Sequence, residues 1–230
     1  MNGPRLGLSR EEIIKISETI RENNLNKQEL IFKIVIIGDY GVGKTSIIGR
    51  FTEGQFSTQY KITIGADFAV KTLEWDEDTR ISLHLWDIAG NERFGSLLSV
   101  FYRHAVAAAI VFDLTRPETF NSVSKWLTNL RKKLHLPGGR TVPIVILANK
   151  GDISTTTLPP QIDEYCRNND ILAWYVTSAK KNINIDEAMV KLANAALNNH
   201  FALKLSLATD EDIINLTENN QQETNQKRCC

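Results

Sequence analysis

The residues best suited to chemistry lie in "GDYGVGKTS" (38–46), where Gly38, Gly43, Lys44 and Thr45 fit the spacing G-x-x-x-x-G-K-[ST], with Gly41 as a further glycine. Read as a phosphate cradle, the stretch turns the backbone N–H groups from Tyr40 to Thr45 toward one anion, helped by the positive end of the helix that follows. Gly41, Val42, Gly43, Lys44, Thr45 and Ser46 then form the binding stretch, Lys44 bridging terminal phosphates and the Thr45 hydroxyl meeting Mg²⁺. A glycine-rich turn without a ligand is the bland alternative, and the neighbouring motifs argue against it.

Three further clusters carry legible chemistry. "WDIAGNE" offers Asp87 as a carboxylate for the magnesium through water, and Gly90 as a position where a backbone N–H can approach a terminal phosphate. "NKGD" offers Asn149 and Asp152; a carboxylate accepts two hydrogen bonds, and guanine presents that donor pair where adenine does not. Lys150 lays its aliphatic stem over the base. "TSAK" (177–180) closes the pocket, with the Ala179 N–H toward the guanine oxygen and Ser178 and Lys180 beside it.

These clusters need elements that bring them together. "LIFKIVII" (30–37) is a β-branched run of the kind that forms a buried parallel strand, and "KTSIIGRF" spaces its apolar residues helically. "ADFAVKTLEW" and "RISLHLWDIAG", joined by "DEDT", form a β-hairpin. "AAAIVFDLT" (107–115), "TVPIVILANK" (141–150) and "ILAWYVTSA" (171–179) are buried strands separated by helices, one of them "PETFNSVSKWLTNLRKKL" and another following Pro159-Pro160. A last helix begins near Asn184, with Glu187 completing a capping box. The succession demands right-handed crossovers and a parallel sheet with helices on both faces, whose ligands gather at the carboxyl ends of the strands.

The chain has 230 residues, 27 Lys and Arg against 27 Asp and Glu. A net charge of zero supplies no field for nucleic acid, so that partner is excluded from the reading. No apolar run reaches the roughly 18 residues of a spanning helix, and "MNGPRLGLSREEIIK" lacks the apolar core of a signal peptide, so a cytosolic start is expected. Of three cysteines, Cys166 stands alone and Cys229 and Cys230 end the chain; the four histidines show no ligand spacing. Residues 1–30 read as an N-terminal extension, either a short amphipathic helix bearing Ile13, Ile16 and Ile20 or a solvated flank; residues 31–205 read as the main domain; residues 206–230 are polar and expected to be a disordered tail.

Taken together, the motifs and the stretches "IGADF", "ISLHLW", "RFGSLL", "FYRHA" and "IVFDLT" make the chain similar to small GTPases of the Ras superfamily, and specifically to the Rabs, over roughly residues 30–205. The isoleucine of "WDIAG" resembles the Rab subfamily associated with lysosome-related organelles. The resemblance implies an α/β P-loop small GTPase fold: a six-stranded, mostly parallel sheet with one antiparallel strand and helices on both faces. It implies GTP and GDP with Mg²⁺ as ligands, Thr63 as the threonine that binds the metal and senses the terminal phosphate, and Phe56 against the guanine. Phe68, Trp86 and Phe101 match the aromatic triad that meets effectors. Asn91 stands where the hydrolytic glutamine is usual, which implies slow GTP hydrolysis with Asn91, Lys44 and Thr63 in catalytic roles, or a GTP-binding scaffold that does not hydrolyse. The ending "KRCC" resembles a doubly geranylgeranylated Rab tail on Cys229 and Cys230. Exchange factors, GTPase-activating proteins, Rab escort and GDP-dissociation-inhibitor proteins, and effectors are the implied partners. The implied location is the cytoplasmic face of an endolysosomal or lysosome-related membrane, in exchange with cytosol. A metabolic P-loop kinase would need an acceptor site and an arginine-bearing lid, and "NKGD" speaks against it.

Overall fold

The computed structural model describes residues 27–59, 61–90, 98–153 and 161–204. The expected N-terminal helix, Asn91, Pro159-Pro160, the tail, Cys229 and Cys230 lie outside the described residues. Six strands form one sheet in the order β2 (Ala66–Glu74), β3 (Thr79–Ile88), β1 (Gln28–Ile37), β4 (Ala107–Asp113), β5 (Ile144–Asn149) and β6 (Ala173–Val176). Its middle is β1, β4 and β5. Every residue of β4 and β5 is buried, which explains their unbroken apolar runs: strands covered on both faces have no solvent side to alternate toward. β1 pairs in parallel with β3 (Thr79–Ile88) on one side and with β4 on the other, setting Ile34 between Leu85 and Ala107.

β2 (Ala66–Glu74) is the antiparallel edge, paired with β3 so that Phe68 faces Trp86 and Asp67 faces Asp87. The "DEDT" turn closes through the Asp78 N–H donating to Asp76 Oδ1 at 2.9 Å, a side chain mimicking a backbone turn. The short β6 (Ala173–Val176) ends the sheet beside β5.

Helices cover both faces. α1 (Lys44–Glu53) and the last helix, α6 (185–204), cover one, where Ile34, Ile36, Ile47, Phe51, Leu83, Met189 and Leu192 form a core. α2 (Leu98–Tyr102), α3 (Glu118–Asn121), α4 (Val123–Lys133) and α5 (Ile162–Asn168) serve the other; its core includes Val35, Ile37, Tyr102, Phe112, Leu127 and Ile162. Two local expectations are corrected. The single helix read over 117–134 is divided at Ser122, whose ψ of −16° loosens the turn between α3 and α4. Asn184 does start α6, its carbonyl accepting from the Ala188 N–H, but its side-chain amide donates to the Val176 carbonyl at 2.8 Å rather than capping with Glu187.

From β1 the chain runs through α1 to β2 and β3 on one side, and from β3 it crosses past β1 to β4 on the other. The loop leaving β1 therefore sits where strand order reverses, the place where an open sheet leaves a crevice at its carboxyl edge.

Candidate functional site

That crevice is a cleft of about 1010 Å³, lined along its length by Gly41, Lys44, Thr45, Phe56, Thr63, Gly90, Lys150, Asp152 and Lys180. Asp39, Tyr40, Gly43, Ser46, Asn149 and Ala179 also reach its wall. Residues far apart in the chain thus meet in one cavity. Val42 and Ser178 contribute from behind it, with fully buried side chains.

At the phosphate end, α1 starts from Gly43 in the left-handed region (φ 99°), with no side-chain cap and no acidic residue in its first turn. The first-turn amides are therefore left for an external anion. A Cβ on Gly43 would fall 2.3 Å from Asn149 Nδ2, so the loop could not pass here with any other residue. Lys44 is 5% exposed and donates to the carbonyls of Gly38 at 2.9 Å and Asp39 at 2.8 Å. An ammonium has three protons, so one remains for a phosphate oxygen. Burial pulls this ammonium down to about 8, against the raising influence of Asp87 and Asp39.

The predicted magnesium residues converge. Asp87 Oδ2 accepts from the Thr45 hydroxyl and from the Thr63 hydroxyl at 3.1 Å, and the two hydroxyls lie 3.1 Å apart. Asp87 is 2% exposed, its carboxyl is raised by burial, and its Oδ1 has no hydrogen-bond partner. A buried carboxylate with an orphaned oxygen beside two hydroxyls is a hard oxygen set, and it fits Mg²⁺. Gly90 presses on the phosphate loop itself: a Cβ there would stand 2.3 Å from the Asp39 carbonyl carbon and the Tyr40 nitrogen. Its missing side chain admits the loop.

At the base end, Asn149 reaches the cleft wall and also ties two loops together. It is 2% exposed; its Nδ2 donates to the Val42 carbonyl at 2.9 Å, and its Oδ1 accepts from the Thr177 hydroxyl and the Ala179 N–H, each at 3.3 Å. The Ala179 N–H expected to meet the guanine oxygen is thus shared with Asn149. Asp152 lines the cleft and accepts from the Ser178 hydroxyl at 2.6 Å, which orients the carboxylate. Lys150 takes a left-handed φ of 65° and its ammonium lies 2.7 Å from Asp113 Oδ2. Phe56 lines the cleft and packs against the first core.

Several contributors escaped the sequence reading. Arg50 of α1 donates to the Ala179 carbonyl at 2.8 Å and holds the base-end turn. Trp126 donates to Asp39 Oδ1 at 2.8 Å, and Arg116 donates to the Tyr40 carbonyl at 2.9 Å. Only buried Asp113, at the end of β4 where ligand-facing residues gather, gave a positional signal.

The aromatic triad is contiguous, Phe68 and Trp86 on the sheet and Phe101 on α2 beside it. Ring centroids of Phe68 and Trp86 lie 5.7 Å apart and those of Trp86 and Phe101 6.5 Å apart. Phe68 is 49% exposed, and the Lys33 ammonium sits 3.9 Å over the Trp86 ring.

Residues 33–198 match the model of the Ras family. The chain is similar to human Ras-related protein Rab-32, at 45% identity over 205 residues, or 88% of this chain and 91% of the relative. Ras-related protein Rab-32B of Dictyostelium discoideum is 42% identical, covering 87% of this chain and 77% of the relative. Ras-related protein Rab-7L1 of Mus musculus is 42% identical, covering 84% and 95%.

Proposed function

The chain belongs to the Ras family and within it to the Rabs, GTPases that bind GTP or GDP with Mg²⁺ and act in membrane traffic, and from that premise we propose a membrane-cycling switch with slow intrinsic hydrolysis. The observation that carries this reading is the convergence of the Thr45 and Thr63 hydroxyls on Asp87 Oδ2, beside an Oδ1 without a partner. Thr63 sits between Ile62 and Ile64, which are 74% and 82% exposed. The segment buries little of its own apolar surface, so its hold on the domain depends on the Thr63 hydroxyl and what that hydroxyl meets. Such a segment responds to loss of a terminal phosphate.

In hydrolysis, water attacks the terminal phosphorus, the bond to the bridging oxygen breaks, and GDP leaves with phosphate. Lys44 and the first-turn amides of α1 stabilise charge on the phosphate oxygens. Thr45, Thr63 and Asp87 would hold Mg²⁺, which when bound neutralises charge on the terminal phosphates. Asn91 is one methylene shorter than a glutamine, so it orients the attacking water poorly. Activating proteins that insert an arginine and a glutamine of their own would restore the rate. Asn91 also supports a second reading, a GTP-binding scaffold with little or no hydrolysis.

Asp152, oriented by Ser178, reads guanine. Two switch segments, near 57–68 and 88–103, carry the nucleotide state to effectors that meet Phe68, Trp86 and Phe101. Exchange factors, Rab escort and GDP-dissociation-inhibitor proteins serve the cycle. Geranylgeranyl groups on Cys229 and Cys230 hold the protein on the cytoplasmic face of endolysosomal or lysosome-related membranes. The test is affinity capture on the full chain loaded with GTP or with GDP. Partners retained only by the GTP form are expected; identical partner sets with both nucleotides would refute a switch.

A further inference from the structure

The outer turn of the phosphate loop, Asp39–Tyr40, is held from outside the cleft by a charged network that the hydrolytic reading does not use. Arg116 sits just after β4 and does not line the cleft. Its Nη2 donates to the Tyr40 carbonyl at 2.9 Å, its guanidinium carbon lies 5.5 Å from the Tyr40 ring centroid, and its Nε donates to Asp113 Oδ2 at 3.0 Å. The same Oδ2 lies 2.7 Å from the Lys150 ammonium at the base end. Asp113 Oδ1 accepts from the Thr115 N–H at 2.9 Å and hydroxyl at 2.6 Å, so the carboxylate is fully used and cannot swing away. Tyr40, Arg116, Asp113 and Lys150 therefore form one connected path from the phosphate end of the cleft to the base end.

We propose that Arg116 is a positioning residue that clamps the phosphate loop through Tyr40 and, through Asp113, ties it to the base-binding loop, so that the two ends of the cleft hold the nucleotide as one unit and release it slowly. Arginine suits the place because a planar fork reaches two acceptors while its face lies on a ring; a single ammonium cannot do all three. Loss of the clamp leaves Asp113 paired with Lys150 and Thr115, and leaves the Tyr40 carbonyl on a residue that is 68% exposed, where water replaces the donor. The variant therefore folds, and what it loses is restraint on the loop.

The inference rests on the guanine-nucleotide reading of the cleft, and the measurement separates the two. Release of fluorescent GDP is followed on the full chain for wild type, Arg116→Ala and Arg116→Lys, with backbone amide exchange on the GDP-loaded forms. Arg116→Ala removes two charge-assisted hydrogen bonds, of which only that to Tyr40 holds the loop directly; losing it at a partly exposed site predicts release about tenfold faster. Arg116→Lys should fall between wild type and Ala. Faster amide exchange should be confined to residues 39–43. Release within about twofold of wild type in Arg116→Ala would overturn the clamp, as would faster exchange spread equally over β4 and β5, which denotes general loosening. A wild type that does not bind GDP would instead overturn the reading of the cleft.

Discussion

Replacing Asn149 by alanine should cripple nucleotide binding, although the Asn149 side chain is almost wholly inside the protein. From the start of the base loop, its amide hydrogen-bonds both the phosphate loop, at Val42, and the 177–180 turn, at Thr177 and Ala179. Truncation orphans the buried Val42 carbonyl, whose partner was at 2.9 Å, and weakens the hold on the Thr177 hydroxyl and Ala179 N–H, whose contacts were longer at 3.3 Å. One full orphan at about 1–3 kcal/mol and two partial ones together suggest about 2–4 kcal/mol, or roughly 30- to 1000-fold in GDP affinity. Asn149→Asp sharpens the test. It restores an acceptor for Thr177 and Ala179 but sets a carboxylate oxygen against the Val42 carbonyl, so it should rescue nothing. The assay is GDP binding by calorimetry or fluorescent-nucleotide dissociation, with thermal unfolding in parallel. Wild-type affinity in Asn149→Ala, or recovery in Asn149→Asp, would refute the assignment of Asn149 as the tie between the loops.

Asp152→Asn exchanges an acceptor for a donor, so affinity should shift from GTP toward xanthosine triphosphate, in which a carbonyl replaces the guanine amine; competition binding reads the shift. Single-turnover hydrolysis should run at or below the order of 10⁻⁴ per second in wild type and rise in Asn91→Gln, both forms first shown to load GTP. The tail from Thr209 carries five acidic residues against Lys227 and Arg228, so charge does not hold it to anionic lipid, and one lipid chain binds only marginally. Cys229→Ser with Cys230→Ser should move the protein to cytosol in cell fractionation while GTP binding persists. Burial works to raise the Asp113 carboxyl, but hydrogen bonds from Lys150, Thr115 and Arg116 outweigh it and hold the group below its ordinary 3.8. Its contribution to stability is therefore full above that value and lost as pH falls through the lower folded one, so urea midpoints of wild type and Asp113→Asn should converge in acid.

The sequence alone determined the parts of this protein whose signals are local. Gly38, Gly43, Lys44 and Thr45 declare themselves by spacing, β4 and β5 by unbroken apolar runs, and β1 by an apolar run over 30–37 interrupted only at Lys33, because turn geometry and two-sided burial act within a few residues of chain. The hairpin of β2 and β3 was legible for the same reason. What the tertiary structure decided were the roles that depend on contact across long separations. Asn149 looks in sequence like a base reader, yet its amide meets Val42, 107 residues away. Arg116 and Trp126 carry no motif, and they reach Tyr40 and Asp39 only because β4 lies beside β1 in the sheet. Lys150 is written into "NKGD" as a lid for the base, but its ion pair with Asp113 follows from the parallel register that sets Asp113 opposite Asn149. A pattern in one dimension records what the backbone must do nearby, whereas a hydrogen bond between loops exists only after the sheet has set its strand order.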